Sequence, residues 1–301
     1  MIVFATSITD PEAYRAYAEP GIRLAAEPGS EVIANAAAGS IFRSYNLILD
    51  SMAERDDVEA LVLLHQDAEI ASPDFCATLR QALSDPDVGV VGCAGAVGVR
   101  SIAWWEGSVT WASFTHRYQE FGGGELAALS WETVDLPAFA HTGEVDTVDG
   151  VVLALSPWAI RNVRFDESLG LLHGYDFDVC QQIRAAGRKV VTADFRVIHH
   201  HSLELVSNPE TWLAAHMRIA EKWEGRMPAQ TTNGGDWQQR ARRAEAEASL
   251  ARTQAFAGML HADAEKARLE RELEEVTGST SWRLTAPLRR LNAARRARRA
   301  R

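Results

Sequence analysis

The run Leu61–Leu64, apolar at every position, constrains this chain most. A strand with one wet face alternates apolar and polar residues. A continuous apolar run needs cover on both faces, as in a parallel sheet between helix layers. Ile2–Ile8 reads as a buried strand as well, and so does Val88–Val91, bounded by Gly89 and Gly92. Helical spacings lie between these runs. Ser40–Glu54 puts Ile41, Tyr45, Ile48, Leu49 and Met52 on one face. Pro73 opens a helix over FCATLRQAL. Asp10–Ile22 is an Asp-started helical or irregular segment, Glu31–Ala36 a short second strand, and Asp149–Leu155 a later one. This alternation predicts an α/β class with a mostly parallel sheet and flanking helices.

Three segments depart from that rhythm. Arg100–Val145 holds Trp104, Trp105, Trp111 and Trp131 and a Gly122-Gly123-Gly124 hinge, with poor periodicity. It reads as a long loop region laid over the sheet. Sugar stacking and satellite core packing are both open to its tryptophans, with packing favoured for most of them. Residues 226–236 form a polar linker after a domain spanning 1–225. Residues 237–276 are rich in Ala, Arg and Glu, with Leu269, Leu273 and Val276 at helical spacing. That thin stripe predicts an exposed, coiled-coil-like helix, because a strict coiled coil needs sustained apolar a and d positions. Residues 277–301 form a basic amphipathic tail.

Charge and cysteine usage bound the partners. The net charge is −10, but Arg283–Arg301 holds eight arginines and no acid, which leaves −18 on the rest. An acidic body argues against nucleic acid as a partner. Cys76, Cys93 and Cys180 are far apart, with no zinc spacing, and read as reduced buried thiols. Met1 leads into IVFATSI with no basic n-region, and no apolar run approaches the ~18 residues of a membrane span. The expected location is therefore cytoplasmic, with peripheral contact through the tail at the inner face of the plasma membrane.

The chemistry concentrates in Arg164–Ser202 and in His65-Gln66-Asp67. Asp67 ends a buried strand, where open α/β sheets place their ligand crevice. It is too far from Pro73 to cap that helix. Asp176 and Asp178 fall at the start of a helix over Phe177–Ala186. One of them can cap it, and a helix N-terminus also keeps a carboxylate ionised, as a general base requires. A strand over Lys189–Ile198 would then deliver His199, His200 and His201, of which His199 and His201 share a face. An acid with imidazole suits a divalent metal, Mn2+ or Mg2+, bridging a diphosphate. Asp67 plus one of these histidines, with His199 and His201 the candidates, makes a sparse ligand set that leaves metal positions open for phosphate oxygens. No phosphate loop, GxGxxG or GxSxG is present.

In order and spacing, these residues resemble a bacterial family 2 glycosyltransferase of the GT-A fold, over about residues 1–225. LVLLHQDAEI stands where such enzymes carry a DxD-type motif, with His65 in place of the first acid. GYDFDVC stands at the ED motif, with Tyr175 in place of Glu. The resemblance implies Asp176 as catalytic base, Asp178 as the acid that follows, and His199 as the best-aligned metal ligand. It also implies donor contacts from Thr6, Ser7, Asn35, Asn46, His65 and Asp67. SWRLTAPLRRL resembles a tail of surface-polysaccharide transferases. Trp282, Leu284, Leu288 and Leu291 among the arginines suit an anionic membrane or a docking partner.

The expectation is inverting transfer of a sugar from a UDP-, GDP- or dTDP-sugar to a glycan, lipid-linked or protein hydroxyl in polysaccharide or glycan assembly. A rival reading, motivated by His65 and Tyr175, is an inactive transferase-like scaffold acting through its helix and tail. A nucleotidyltransferase would need a basic phosphate-gripping loop, and Thr6–Pro11 offers none.

Overall fold

A computed structural model of the protein describes residues 1–99, 101–104, 107, 109–118, 124–126, 142–201, 208–229, 231, 237–287 and 289. The chain divides into two units, Met1–Glu245 and Ala246–Arg301. The strands in order are β1 (Ile2–Ile8), β2 (Glu31–Ala36), β3 (Ala60–Leu64), β4 (Ala68–Ile70), β5 (Val88–Gly92), β6 (Ala94–Val97), β7 (Val109–Ala112), β8 (Phe114–Tyr118), β9 (Gly124–Leu126), β10 (Glu144–Val145), β11 (Thr147–Val148), β12 (Val152–Leu155), β13 (Lys189–Thr192) and β14 (Val197–His201). The helices are α1 (Pro11–Ala13), α2 (Glu19–Ala25), α3 (Ile41–Met52), α4 (Phe75–Ala82), α5 (Pro157–Asn162), α6 (Tyr175–Ala185), α7 (Pro209–Trp223), α8 (Trp237–Gly278) and α9 (Thr280–Leu284).

The central sheet has the order β10-β13-β5-β12-β3-β1-β2 among the described residues. β1 runs parallel to β2 and β3, and β13 parallel to β5, while β12 opposes β3 and β5 and β10 opposes β13. Five of these seven strands therefore point one way, and the sheet is mostly parallel as expected. Every residue of β3 is buried, as its unbroken apolar run requires. Ser40 caps α3 by accepting from the Arg43 amide, and the helix buries Phe42, Tyr45, Ile48, Leu49 and Met52.

Three local expectations need correction. The segment around the tryptophans is not only loop. It contributes β7 to one small sheet, β11-β6-β7, and β8 and β9 to another, β4-β14-β8-β9. Trp104 is buried and belongs to the core, whereas Trp105, Trp131, Gly122 and Gly123 lie outside the described residues. The expected strand Lys189–Ile198 is two strands in two sheets, because the chain turns at 193–196. Phe195 is fully buried there and stacks on Phe75 with ring centroids 4.3 Å apart. Burying a Phe side chain contributes roughly 1.5–3 kcal/mol. That outweighs the ~1–2 kcal/mol cost of holding Arg196 at φ 51°. Ser113 fixes the turn, bonding Asp194 through its hydroxyl and accepting the Arg196 amide at 3.0 Å. The third correction is at α6, which begins at Tyr175, with Gly174 (φ 86°) rather than Asp176 in the capping position.

In the second unit the helical path continues to Gly278, and Ser279 caps α9. Among the described residues no helix is long and apolar enough to cross a membrane. Cys76, Cys93 and Cys180 are free and buried.

Candidate active site

The site is assembled where β3 ends and β14 comes alongside β4. β14 pairs antiparallel with β4, putting His199 opposite Ala68. The Asp67 carbonyl accepts the His200 amide at 2.8 Å. The turn after β3 is tied at both sides. The His65 amide donates to Val151 at 3.1 Å, and Gln66 accepts the Thr9 and Asp10 amides at 2.8 Å. Gln66 therefore faces the end of β1, while His65 and Asp67 face each other across the turn, with His199 beside Asp67.

Three side chains meet there. His65, Asp67 and His199 can each offer a ligand atom, all within 4.8 Å of one another. Asp67 Oδ1 lies 3.5 Å from His199 Nε2 and 3.9 Å from His65 Nδ1. His199 is 5 % exposed. The next histidine points the other way. His200 bonds Glu69 at 2.9 Å and stacks on Tyr17 at 3.7 Å. The His201 side chain lies outside the described residues, so its expected place in the metal set is untouched. Two imidazoles and one carboxylate form a donor set that fits a divalent transition metal and leaves positions open for other oxygens. His65 thus joins the set, where the resemblance gave it a donor contact.

Asp176 lies on the first turn of α6, next in the chain to Tyr175, whose hydroxyl is hydrogen-bonded to His65. Its Oδ2 accepts the Gly150 amide at 2.9 Å and its Oδ1 accepts the Phe177 amide. Burial, and then the nearby charge of Asp149, push its carboxyl up to about 7, against the pull of those amides. Asp149 accepts from Trp104 Nε1 and, at 2.8 Å, from the Val151 amide. Sequence reasoning missed Asp149 by assigning it to a strand. The Asp149-Gly150 pair is turn chemistry, and that signal could have marked it. Burial holds the His65 imidazolium below its ordinary value, with the Asp67 charge acting against that.

Other predicted residues sit elsewhere. Asp178 is fully buried and engaged by Lys222 Nζ, by Trp223 Nε1 at 2.9 Å and by Gln182 Nε2 at 2.7 Å. Two residues along a helix turn a side chain by about 200°, so Asp178 faces α7 while Asp176 meets the Gly150 amide. Asn46 is also engaged: it exchanges both hydrogen bonds with the Phe165 backbone, each at 2.8 Å. Thr6 is turned into the core and is fully buried. Ser7 and Asn35 do share a cavity of about 310 Å³, together with Ala36, Ala38, Ser44, Leu47 and Ile48. Of the expected site residues, Thr6 is thus buried, Asn46 holds the Phe165 backbone and Asp178 joins α6 to α7, while Ser7 and Asn35 line a cavity.

Fold and site define an α/β protein that gathers a carboxylate and two imidazoles beyond the end of its central strand β3. A narrower assignment follows from comparison with known proteins: the model of a family described as "Glycosyltransferase like family" matches residues 4–221, and the chain belongs to that family. The streptomycin biosynthesis protein StrF of Streptomyces griseus is 29% identical over 192 residues, which are 61% of this chain and 60% of that protein. The chain thus spans about 60% of the length of this curated relative. Among solved structures, GalNAc-T7 with UDP, GalNAc and Mn2+ is similar at 13% identity and a TM-score of 0.45, over 74% of this chain and 47% of that one. The mannosyltransferase PcManGT from Pyrobaculum calidifontis, in complex with GDP-Man and Mn2+, is similar at 13% identity and a TM-score of 0.45, over 94% and 81% of the two chains.

Proposed function

We propose that the protein transfers a glycosyl group, with inversion, from a nucleotide-diphosphate donor to an acceptor hydroxyl. Family membership supports the reaction class. One observation carries the rest: a carboxyl brought to about 7, Asp176, follows Tyr175, whose hydroxyl is bonded to His65 of the His65, Asp67 and His199 cluster. A base poised near neutral pH is what abstraction of a hydroxyl proton requires. Asp176 takes the acceptor proton as the oxygen attacks the anomeric carbon, and the bond from that carbon to the phosphate oxygen breaks, releasing the nucleoside diphosphate. Asp149 keeps that carboxylate basic by its charge, and the Gly150 amide holds it in place. His65, Asp67 and His199 would hold a divalent cation, Mn2+ or Mg2+. When bound, that ion supplies charge neutralisation for the diphosphate. The cavity lined by Ser7 and Asn35 is the place for the nucleoside end of the donor.

The basic tail fits an acceptor or partner at an anionic membrane surface, in polysaccharide or glycan assembly. Trp282 and Leu284 are exposed, and the Arg289 guanidinium lies 3.6 Å from the Trp282 ring centroid. Leu288 and Leu291 lie outside the described residues.

The test is a panel of UDP-, GDP- and dTDP-sugars with and without manganese, read as nucleotide release and as protection against thermal unfolding. One donor should bind and turn over only with the metal. Asp176→Asn should abolish turnover and leave nucleotide binding nearly intact. Turnover retained in Asp176→Asn removes the base assignment. Failure of every donor to bind or react favours the scaffold reading.

A further inference from the structure

Two side chains that are 110 positions apart in the chain, His65 and Tyr175, are hydrogen-bonded at 2.5 Å between Nε2 and the phenol oxygen. Tyr175 is 4 % exposed, and its ring meets Phe42 and Tyr45 edge-on at centroid distances of 6.0 and 5.8 Å. It also lies against Gly150, where a Cβ would come within 2.1 Å of the phenol oxygen. The hydroxyl therefore has one place to be. The other ring nitrogen of His65, Nδ1, is the one that faces Asp67.

We propose that Tyr175 is a positioning residue for the cation site. Its hydroxyl oxygen accepts the Nε2 proton of His65 and thereby keeps a lone pair on Nδ1, aimed at the space shared with Asp67 and His199. The proposal rests on the cation reading given above. A neutral imidazole carries one N–H, and the partner of one nitrogen decides which tautomer the other presents. A ligating histidine that loses its partner for the remote N–H weakens the metal by roughly 10–100-fold. His65 and Tyr175 are the two positions at which this chain has neither of the acids implied by the resemblance. Their contact makes the two departures one unit, because a carboxylate at 65 would need no tautomer set for it.

The experiment is manganese binding to the full chain without donor, followed by electron paramagnetic resonance titration of free Mn2+. The set is the unaltered protein, Tyr175→Phe, His65→Asp and the double variant, each checked by thermal melting. Spin-echo modulation from imidazole nitrogen at the bound ion is a second readout. Tyr175→Phe should raise the manganese Kd roughly tenfold or more. It should change the Kd less than about twofold when added to His65→Asp. The nitrogen modulation should fall on going from the unaltered protein to His65→Asp. The proposal is overturned by a Tyr175→Phe protein that binds as the unaltered one does, or by equal losses in both backgrounds. It is also overturned by a modulation indifferent to His65→Asp. An unaltered protein that binds no manganese removes the cation reading itself, and the proposal with it.

Discussion

Gly150 donates its amide to Asp176 at 2.9 Å and leaves the space that the Tyr175 hydroxyl fills. One backbone position therefore sets both the Asp176 carboxyl and the aromatic group behind His65. A methyl there would stand 2.1 Å from the phenol oxygen and 2.4 Å from the ring carbon that bears it. Tyr175 is walled in, so neither side can give cheaply. Gly150→Ala should cost about 1–3 kcal/mol of stability, the range for overpacking a filled core. It should also displace Tyr175 from His65. Urea denaturation and manganese titration of the same preparation check both parts. A variant of wild-type stability and metal affinity would contradict the packing described.

Asp176 should make the protein less stable as pH rises. Its folded-state value, about 7, lies above the unfolded carboxyl near 3.9. The folded chain thus holds a proton that the unfolded chain has lost, and the advantage disappears as pH climbs from about 4 through 7. Asp176→Asn removes this dependence, and the hydrogen bond it forfeits is a constant offset. Between pH 4.5 and 8 the wild type should lose roughly 2–4 kcal/mol relative to Asp176→Asn. Urea midpoints in metal-free buffer at those two pH values measure it. Parallel curves would mean that the carboxyl is unperturbed.

What the sequence conveyed well is what local chemistry decides. The unbroken apolar run of β3 and the helical face of α3 follow from period alone. The separation of His199 from His200 followed from strand alternation, although the strand itself was drawn too long. The break at 193–196 depends on Phe195 finding Phe75, a contact across 120 positions that no local pattern announces. The pairing of His65 with Tyr175 was hidden for the same reason. The two were visible only as separate departures from a motif. Asp176 and Asp178 looked like one feature because they flank Phe177, yet Asp176 meets the Gly150 amide and Asp178 meets Lys222 and Trp223.

Asp178 should matter to folding and not to chemistry. It is fully buried and takes hydrogen bonds from Lys222, Trp223 and Gln182, which fastens α6 to α7. Asp178→Ala leaves the Trp223 indole N–H without this acceptor and Lys222 with Asp166 alone of its two acids. The cost should be about 2–4 kcal/mol. Turnover per folded molecule should change by less than roughly threefold, whereas Asp176→Asn should lower it by about 100-fold or more. Rates normalised to the folded fraction from the denaturation curve separate the two. A large loss of rate in well-folded Asp178→Ala would return Asp178 to the reaction.

Asp149 should set the pH at which the proposed transfer switches on. A general base works only when ionised, so the rate should rise with pH through the value of the Asp176 carboxyl, about 7. The charge of Asp149 helps to hold that carboxyl up, second only to burial. Asp149→Asn keeps the size of the side chain and an acceptor for Trp104 or the Val151 amide, but removes the charge. Asp176 should then ionise more easily, and the acid limb of kcat/KM should move to lower pH by roughly one unit. The plateau can fall through lost positioning without affecting this reading, because only the midpoint is compared. A pH–rate profile from pH 5 to 9 at subsaturating donor gives the midpoint for both proteins. An unmoved acid limb would show that Asp149 does not act on the base, and an upward shift would reverse the sign of the electrostatics described.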